Sequence, residues 1–406
     1  LDWETTGDDD TSGIDTCSAG TYSTPDDTAV TVSGFCTDNA GNNSDPVASL
    51  AFDYDNTDPV NVQTLLDRDP DHDGWYNAPL DWETTGDDDT SGIDTCSFGT
   101  YSALDGTGLT VAGICTDAAG NSSAAVSSVL FDYDATDPVN VQTLLDRDPD
   151  HDGWYNAPLD WETTGDDDTS GIDTCSAGTY STPDDTAVTV SGFCTDNAGN
   201  NSDPVASLAF DYDNTDPQLT PTVTPNPVVL NGSATASPNA TDNLSGVDSS
   251  SCDPVDTSTV GAQSVSCSAT DNAGNSGAAN AWYSVAFSFQ GFFQPVDNGG
   301  VYNVVQAGRA IPVKFSLGGN QGMNILASGY PKSTVVACSG VAGTDELEET
   351  LTSGSSVLQY DGTVNPPVGQ YIYVWKTEKS WASTCRRLDV KLADGQTRSA
   401  FFSFKK

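Results

Sequence analysis

The residues in this chain with the clearest chemical potential are aspartates. Of its 59 acidic residues, 52 are Asp, and they fall in short dense groups. The densest is Asp67-Arg68-Asp69-Pro70-Asp71-His72-Asp73-Gly74, which recurs with Asp146, Asp148, Asp150, Asp152 and Gly153. Alternating carboxylates before a glycine open a calcium loop, because side chains two apart converge on one hard cation and the glycine permits the turn. The bidentate acid such a loop needs at its twelfth position is replaced by Leu80, which excludes an EF-hand. A second group is Asp8-Asp9-Asp10-Thr11-Ser12-Gly13, repeated at 87–92 and 166–171. A third is Phe52-Asp53-Tyr54-Asp55-Asn56-Thr57-Asp58-Pro59, repeated at 131–138 and 210–217. The expected Ca2+ ligands are therefore Asp67, Asp69, Asp71 and Asp73, their counterparts Asp146, Asp148, Asp150 and Asp152, and the junction acids Asp53, Asp55, Asp58, Asp132, Asp134 and Asp137.

Other chemistry lacks its parts. The two histidines, His72 and His151, lie in the aspartate loops and read as solvent-facing. A catalytic His needs a Ser or Cys partner, and no G-x-S-x-G occurs. A carboxylate pair for glycoside hydrolysis is compatible with the composition, but every such pair recurs with the repeat. The chain reads as non-enzymatic. Trp75-Tyr76 and Trp154-Tyr155 read as packing at a domain junction, with glycan stacking as the other use. Asn-x-Ser/Thr sequons stand at Asn42, Asn121, Asn200, Asn231, Asn239 and Asn243.

The charge is unevenly placed. The net is −46, but residues 1–288 carry fifty acids against only Arg68 and Arg147, while residues 289–406 are close to neutral. This argues against nucleic acid and anionic membrane surfaces, which require a basic footprint. It also argues against salt adaptation, because the tail shares the same solvent. No apolar run is long enough for a membrane helix, so no membrane insertion is expected.

A repeat organises the elements that must position these acids. LDWETTGDDDTSGIDTCS begins at Leu1, Leu80 and Leu159, and residues 1–59 and 159–217 are identical. The stretch Val60–Pro79 recurs at Val139–Pro158, so the chain opens within a repeat and reads as part of a longer array. Each repeat reads as β. Leu80, Trp82 and Thr84 alternate with Asp81 and Glu83. Val30, Val32, Gly34 and Cys36 share one strand face, and Leu50, Phe52 and Tyr54 share a face of the next strand. Asp38-Asn39-Ala40-Gly41-Asn42 turns between them. Short strands with frequent turns predict a small antiparallel sandwich per repeat.

Cysteines occur two per unit: Cys17 and Cys36, Cys96 and Cys115, Cys175 and Cys194, Cys252 and Cys267, Cys338 and Cys385. That distribution predicts one disulfide within each unit and an oxidising compartment. A zinc thiolate needs four ligands, and there is no C-x-x-C. After the Pro/Thr segment Leu219–Pro227 comes a fourth unit, then a tail richer in Lys, Arg and aromatics, where Tyr371, Tyr373 and Trp375 alternate, as do Leu388, Val390 and Leu392.

The Cys-Thr-Asp-Asn-Ala-Gly-Asn turn at 36–42 and 194–200, and its variant at 267–275, resembles hyalin-type and related bacterial Ig-like repeats. The tail resembles the PxKF domain through Phe293-Gln294-Pro295-Val296, Ala310–Leu317, Tyr373–Thr377, Trp381–Arg386 and Phe404-Lys405. These resemblances imply an all-β chain of tandem Ig-like β-sandwiches in an extended, beads-on-a-string arrangement, secreted or on a cell surface, with no family-wide activity. The expected units are 1–58, 59–137, 138–216, 217–288 and a PxKF-type sandwich at 289–406. The expected role is a stalk, adhesin-like or fibre-forming spacer stiffened by Ca2+. Two alternatives are a homopolymeric filament, in which a neighbour's strand completes the first unit, and the accessory tail of a secreted hydrolase. Possible partners are other copies of the chain or a glycan or surface ligand.

Overall fold

The computed structural model describes residues 1–338, 344–351, 355–364 and 369–406. Among these the chain is built of strands, and its one helical element is the 3-10 turn Lys379–Trp381. No helix is long and apolar enough to cross a membrane. Two compact units emerge. One comprises Leu1–Asp148, Pro158–Ser181 and Val188–Ala209, and the other Pro149–Ala157, Thr182–Ala187 and Phe210–Lys406.

In the first unit, residues 59–137 show the pattern most fully. Leu80–Asp87 is the centre of a three-stranded antiparallel sheet, with Val60–Leu66 on one side and Phe98–Tyr101 on the other. Facing elements are Phe131–Tyr133 between Trp75–Tyr76, which runs parallel to it, and Gly106–Leu109, which runs antiparallel. The alternation expected along Leu80–Asp87 holds: Leu80 and Thr84 are buried, while Asp81 and Glu83 are exposed. Tyr76, Leu80, Phe131 and Tyr133 form the core, with Leu66, Tyr101, Leu109 and Val111 packed against them. Tyr101 meets Phe131 and Tyr133 edge to face, the geometry aromatic quadrupoles favour. The core is partly polar: Thr64 and Thr84 are buried with hydroxyls 3.0 Å apart, and Thr64 donates to the Val126 carbonyl at 2.7 Å.

One expected strand face changes. Val30, Val32, Gly34 and Cys36 do point inward together, but Leu50 is 91% exposed. The strand begins only at Phe52, and Ser49 donates instead to the Val32 carbonyl at 2.8 Å. Side-chain parity does not carry through a break in the ladder.

All five expected disulfides form. In the repeats each joins directly paired strand residues, as with Cys96 and Cys115, whose Cα atoms are 4.0 Å apart.

In the second unit, Gly261–Asp271 and Ser276–Ala286 form a long hairpin, flanked by Val247–Cys252. The tail is a sandwich. One sheet runs Phe292–Phe293, Ala310–Phe315, Gln370–Lys376, Val357–Asp361, and the other Lys332–Val336, Cys385–Lys391, Thr397–Lys405, Tyr302–Gln306, Thr344–Glu346. Ile311, Val313, Phe315, Tyr371, Trp375, Leu388, Val390, Phe402 and Phe404 fill its core.

Candidate metal centre

Three short segments, far apart in sequence, meet around one point. The first is the Asp-Asp-Asp-Thr-Ser-Gly turn. Asp88 Oδ1 accepts main-chain N–H bonds from Thr90, Ser91 and Gly92 at 3.2, 2.8 and 2.9 Å. Short polar turns fold this way because an Asp side chain can satisfy its own following backbone, and Gly92 supplies the positive φ of 76° that closes the turn. The second is the Cys-Thr-Asp turn. Asp117 accepts the Asn121 main-chain N–H at Oδ1 and the Asn121 amide at Oδ2, both 2.8 Å. The third is the stretch before the next repeat. Asp55 accepts from Thr57 N–H at 3.0 Å and from Ser91 N–H at 3.1 Å. Asn121 also donates to the Asp55 carbonyl at 3.4 Å.

The result is a triad, Asp55, Asp88 and Asp117, with one carboxylate oxygen from each all within 4.8 Å of one another. The arrangement repeats in Asp134, Asp167 and Asp196, and again in Asp213, Asp242 and Asp271. The supporting hydrogen bonds repeat with it. Ser170 N–H donates to Asp134 at 3.0 Å and Ser245 N–H to Asp213 at 3.1 Å. The Asn200 and Asn275 amides reach the Asp134 and Asp213 carbonyls at 3.0 and 2.9 Å. At residues 1–58, Asp9 and Asp38 take the same turn hydrogen bonds as Asp88 and Asp117.

Burial makes these triads unusual. Asp134, Asp196, Asp213 and Asp271 are fully buried and Asp117 nearly so. A buried carboxylate needs a compensating charge or it takes up a proton. Burial raises the Asp134 carboxyl above its ordinary pKa, outweighing the hydrogen bonds from Ser170 and Thr136, and the neighbouring Asp167 pushes the same way. Burial acts in the same sense on the more open Asp55, but there Ser91 and Thr57 prevail and its pKa is lowered. The two basic side chains of residues 1–288 are engaged elsewhere: Arg68 with Asp71 and the Ala78 carbonyl, Arg147 with the Pro158 carbonyl.

Three carboxylates suit a hard cation. Ca2+ takes oxygen ligands at about 2.3–2.6 Å, so two of its ligands on opposite sides stand roughly 5 Å apart. The triad span lies within that limit. Zinc, which favours sulfur and nitrogen, fits the donor set less well.

Of the acids expected from sequence, Asp55 and Asp134 enter triads, joined by Asp88, Asp117, Asp167, Asp196, Asp213, Asp242 and Asp271. Asp53 and Asp132 instead accept the Ala29 and Gly108 N–H at 2.8 and 2.7 Å. Asp58 and Asp137 are exposed. Among the described residues, Asp67, Asp69, Asp71 and Asp73 do not form such a group, nor do Asp146, Asp148, Asp150 and Asp152.

The Asp67–Gly74 loop has another attachment. Asp71 pairs with Arg68 and accepts the Asn77 N–H at 3.0 Å. His72 Nδ1 lies 3.1 Å from the Asn197 carbonyl, and the Asn77 amide donates to the Ala198 carbonyl at 2.8 Å. The loop thus grips the Asn197-Ala198-Gly199 turn of the following repeat. His151 and Asn156 hold Asn272 and Ala273 the same way, at 3.0 and 2.8 Å. Each such bond contributes about 0.5–1.5 kcal/mol net. The double variant His72→Ala/Asn77→Ala is therefore expected to at least double the width of the distance distribution between spin labels at Thr100 and Ser181. An unchanged width would show that the grip does not restrain the joint.

No family model and no curated protein matches the chain. Solved structures do. One is a Ca2+-stabilized adhesin that helps an Antarctic bacterium reach out and bind ice, with 14% identity, 93% of this chain and 94% of that one covered, and a TM-score of 0.27. Another is the protocadherin GammaB4 extracellular domain, with 13% identity, coverage of 93% and 72%, and a TM-score of 0.21. A third is a tetra-tandem repeat from the extending region of a large adhesion protein, with 16% identity, coverage of 92% and 81%, and a TM-score of 0.17. At such TM-scores the likeness carries no argument about function.

Proposed function

We propose that this chain is a non-enzymatic extracellular or cell-surface spacer whose successive repeats are held in line by Ca2+ bound at the aspartate triads. The observation that carries this reading is the convergence of three carboxylates, one of them buried in the first triad and two in each of the others, with no basic side chain among them, three times at one phase of the repeat. In each triad one acid precedes a repeat boundary, such as Asp55 before Pro59, and two follow it. An ion there ties the end of one sandwich to the turns of the next and removes the repulsion that otherwise splays them. The units in this reading are 1–58, 59–137, 138–216 and 217–288, ending in the 289–406 sandwich that resembles PxKF domains. The disulfides and the charge split between array and tail fit a protein exposed to an oxidising, calcium-rich exterior.

Flow dialysis with radioactive calcium tests the reading. The full chain is expected to bind about one ion per triad, three in all. Asp134→Asn/Asp196→Asn should abolish one site, while Asp69→Asn/Asp71→Asn/Asp73→Asn should leave the count unchanged. Loss of calcium in the second variant and not the first would move the sites to the loop and reject the triads.

A further inference from the structure

We propose that the outer face of the Val247–Cys252, Gly261–Asp271 and Ser276–Ala286 sheet is a platform for a neutral carbohydrate polymer, with Trp282 as its stacking surface. This site is separate from the calcium reading.

The register defines the face. Trp282 pairs with Ser264, Asn280 with Ser266 and Ala278 with Ser268, and Ser268 pairs in turn with Ser251. Directly opposed residues share a face about 5 Å apart, so one surface is paved with hydroxyls and an amide around a single indole. These side chains are exposed, and Trp282 is 72% exposed. The inward positions of the same strand are Gly277, Ala279, Ala281, Tyr283 and Val285, while its largest side chain, Trp282, points to water. Nothing about packing the sandwich requires that choice.

The chemistry selects the occupant. The residues paired with Trp282, Asn280 and Ala278 are serines, and two exposed acids border them: Asp248 within the Val247–Cys252 strand, and Asp253, whose N–H donates to the Ser266 carbonyl at 2.9 Å. A polyanion finds no cation there and is repelled by Asp248 and Asp253, whereas a neutral polymer meets no repulsion and can donate hydroxyls to those carboxylates. A second protein surface is a poor match, because protein interfaces are depleted in Ser and Ala and set their Trp anchors in desolvated pockets. A sugar ring matches on both counts. Its C–H face stacks on an indole, and its hydroxyls exchange hydrogen bonds with Ser and Asn groups that both donate and accept. The strand is also held in place beside the indole. Asn226 Oδ1 accepts the Ser284 N–H at 3.0 Å and its amide donates to the Trp282 carbonyl at 3.4 Å, which limits the ordering cost of binding.

Affinity electrophoresis of the full chain in native gels containing dextran, mannan, xylan or a soluble β-glucan tests this. At least one neutral polymer is expected to retard the protein. Trp282→Ala should weaken the apparent affinity at least tenfold with an unchanged melting profile, and Ser264→Asp should do so by placing a charge beside the indole. The proposal is overturned if no neutral polymer retards the chain or if Trp282→Ala is retarded equally. It is also overturned if sedimentation shows that Trp282→Ala dissolves a self-association, which would make this face an interface between copies.

Discussion

Chelating calcium is expected to lower the melting temperature of the repeat region by about 10–20 °C and to leave the tail transition where it was. The magnitude follows from mass action. An ion at a hundred times its Kd stabilises the site that holds it by about 2.7 kcal/mol, and 1 kcal/mol moves a domain of this size by roughly 4–8 °C. The electrostatics point the same way. Two carboxylates within 4.8 Å repel by at least about 3 kcal/mol at an effective dielectric constant of 20, and each triad holds three such pairs. The sign can be separated from generic screening by Asp134→Asn. In calcium the variant should melt lower than the parent, because a ligand is lost. In EDTA it should melt as high or higher, because one repelling charge is gone. Calorimetry in both buffers at matched ionic strength checks the crossing, and two curves shifted the same way would mean that the triads hold no ion.

The second large effect concerns the disulfides. Cys96→Ser/Cys115→Ser is expected to cost its repeat roughly 3 kcal/mol, from the loop of 19 residues that the bridge closes. The repeat has little to spare. Among the described residues its core cluster has four buried side chains, while the tail's has seventeen. Small cores are marginal because too little of the chain's surface is removed from water. Proteolysis under reducing conditions should therefore digest residues 1–286 first and leave a stable fragment near 287–406. Simultaneous loss of both regions would show that the repeats do not depend on their bridges.

Much of the fold was legible from local pattern. Strand alternation at Leu80–Thr84 survives in the structure because a sandwich buries one face of each strand and side chains alternate with period two, whereas along Gln370–Lys376 Tyr371 and Trp375 are buried but Ile372, Tyr373 and Val374 are half-buried alike. It failed at Leu50, where the ladder breaks and parity is lost. The disulfides were legible because two cysteines per unit leave one pairing within each. The acids were legible only in pieces. The segments around Asp55 and Asp88 stood out as charged clusters, but Asp117 sits in a turn whose Asn and Gly accounted for it already, and Asp242 stands beside Asn243 with no run of acids at all.

By itself, then, the sequence determined the β architecture, the bridges, the repeat phase and the split of charge between array and tail, because each rests on spacing along the chain. Only the tertiary structure decided which aspartates meet. The loop richest in alternating carboxylates keeps Asp71 for Arg68 and Asn77 and spends its His and Asn on the next repeat's turn. The triads instead draw single acids from three turns that sandwich packing brings to one point. A cation site depends on convergence in space and on exclusion from water, and neither is written in the density of acids along a chain.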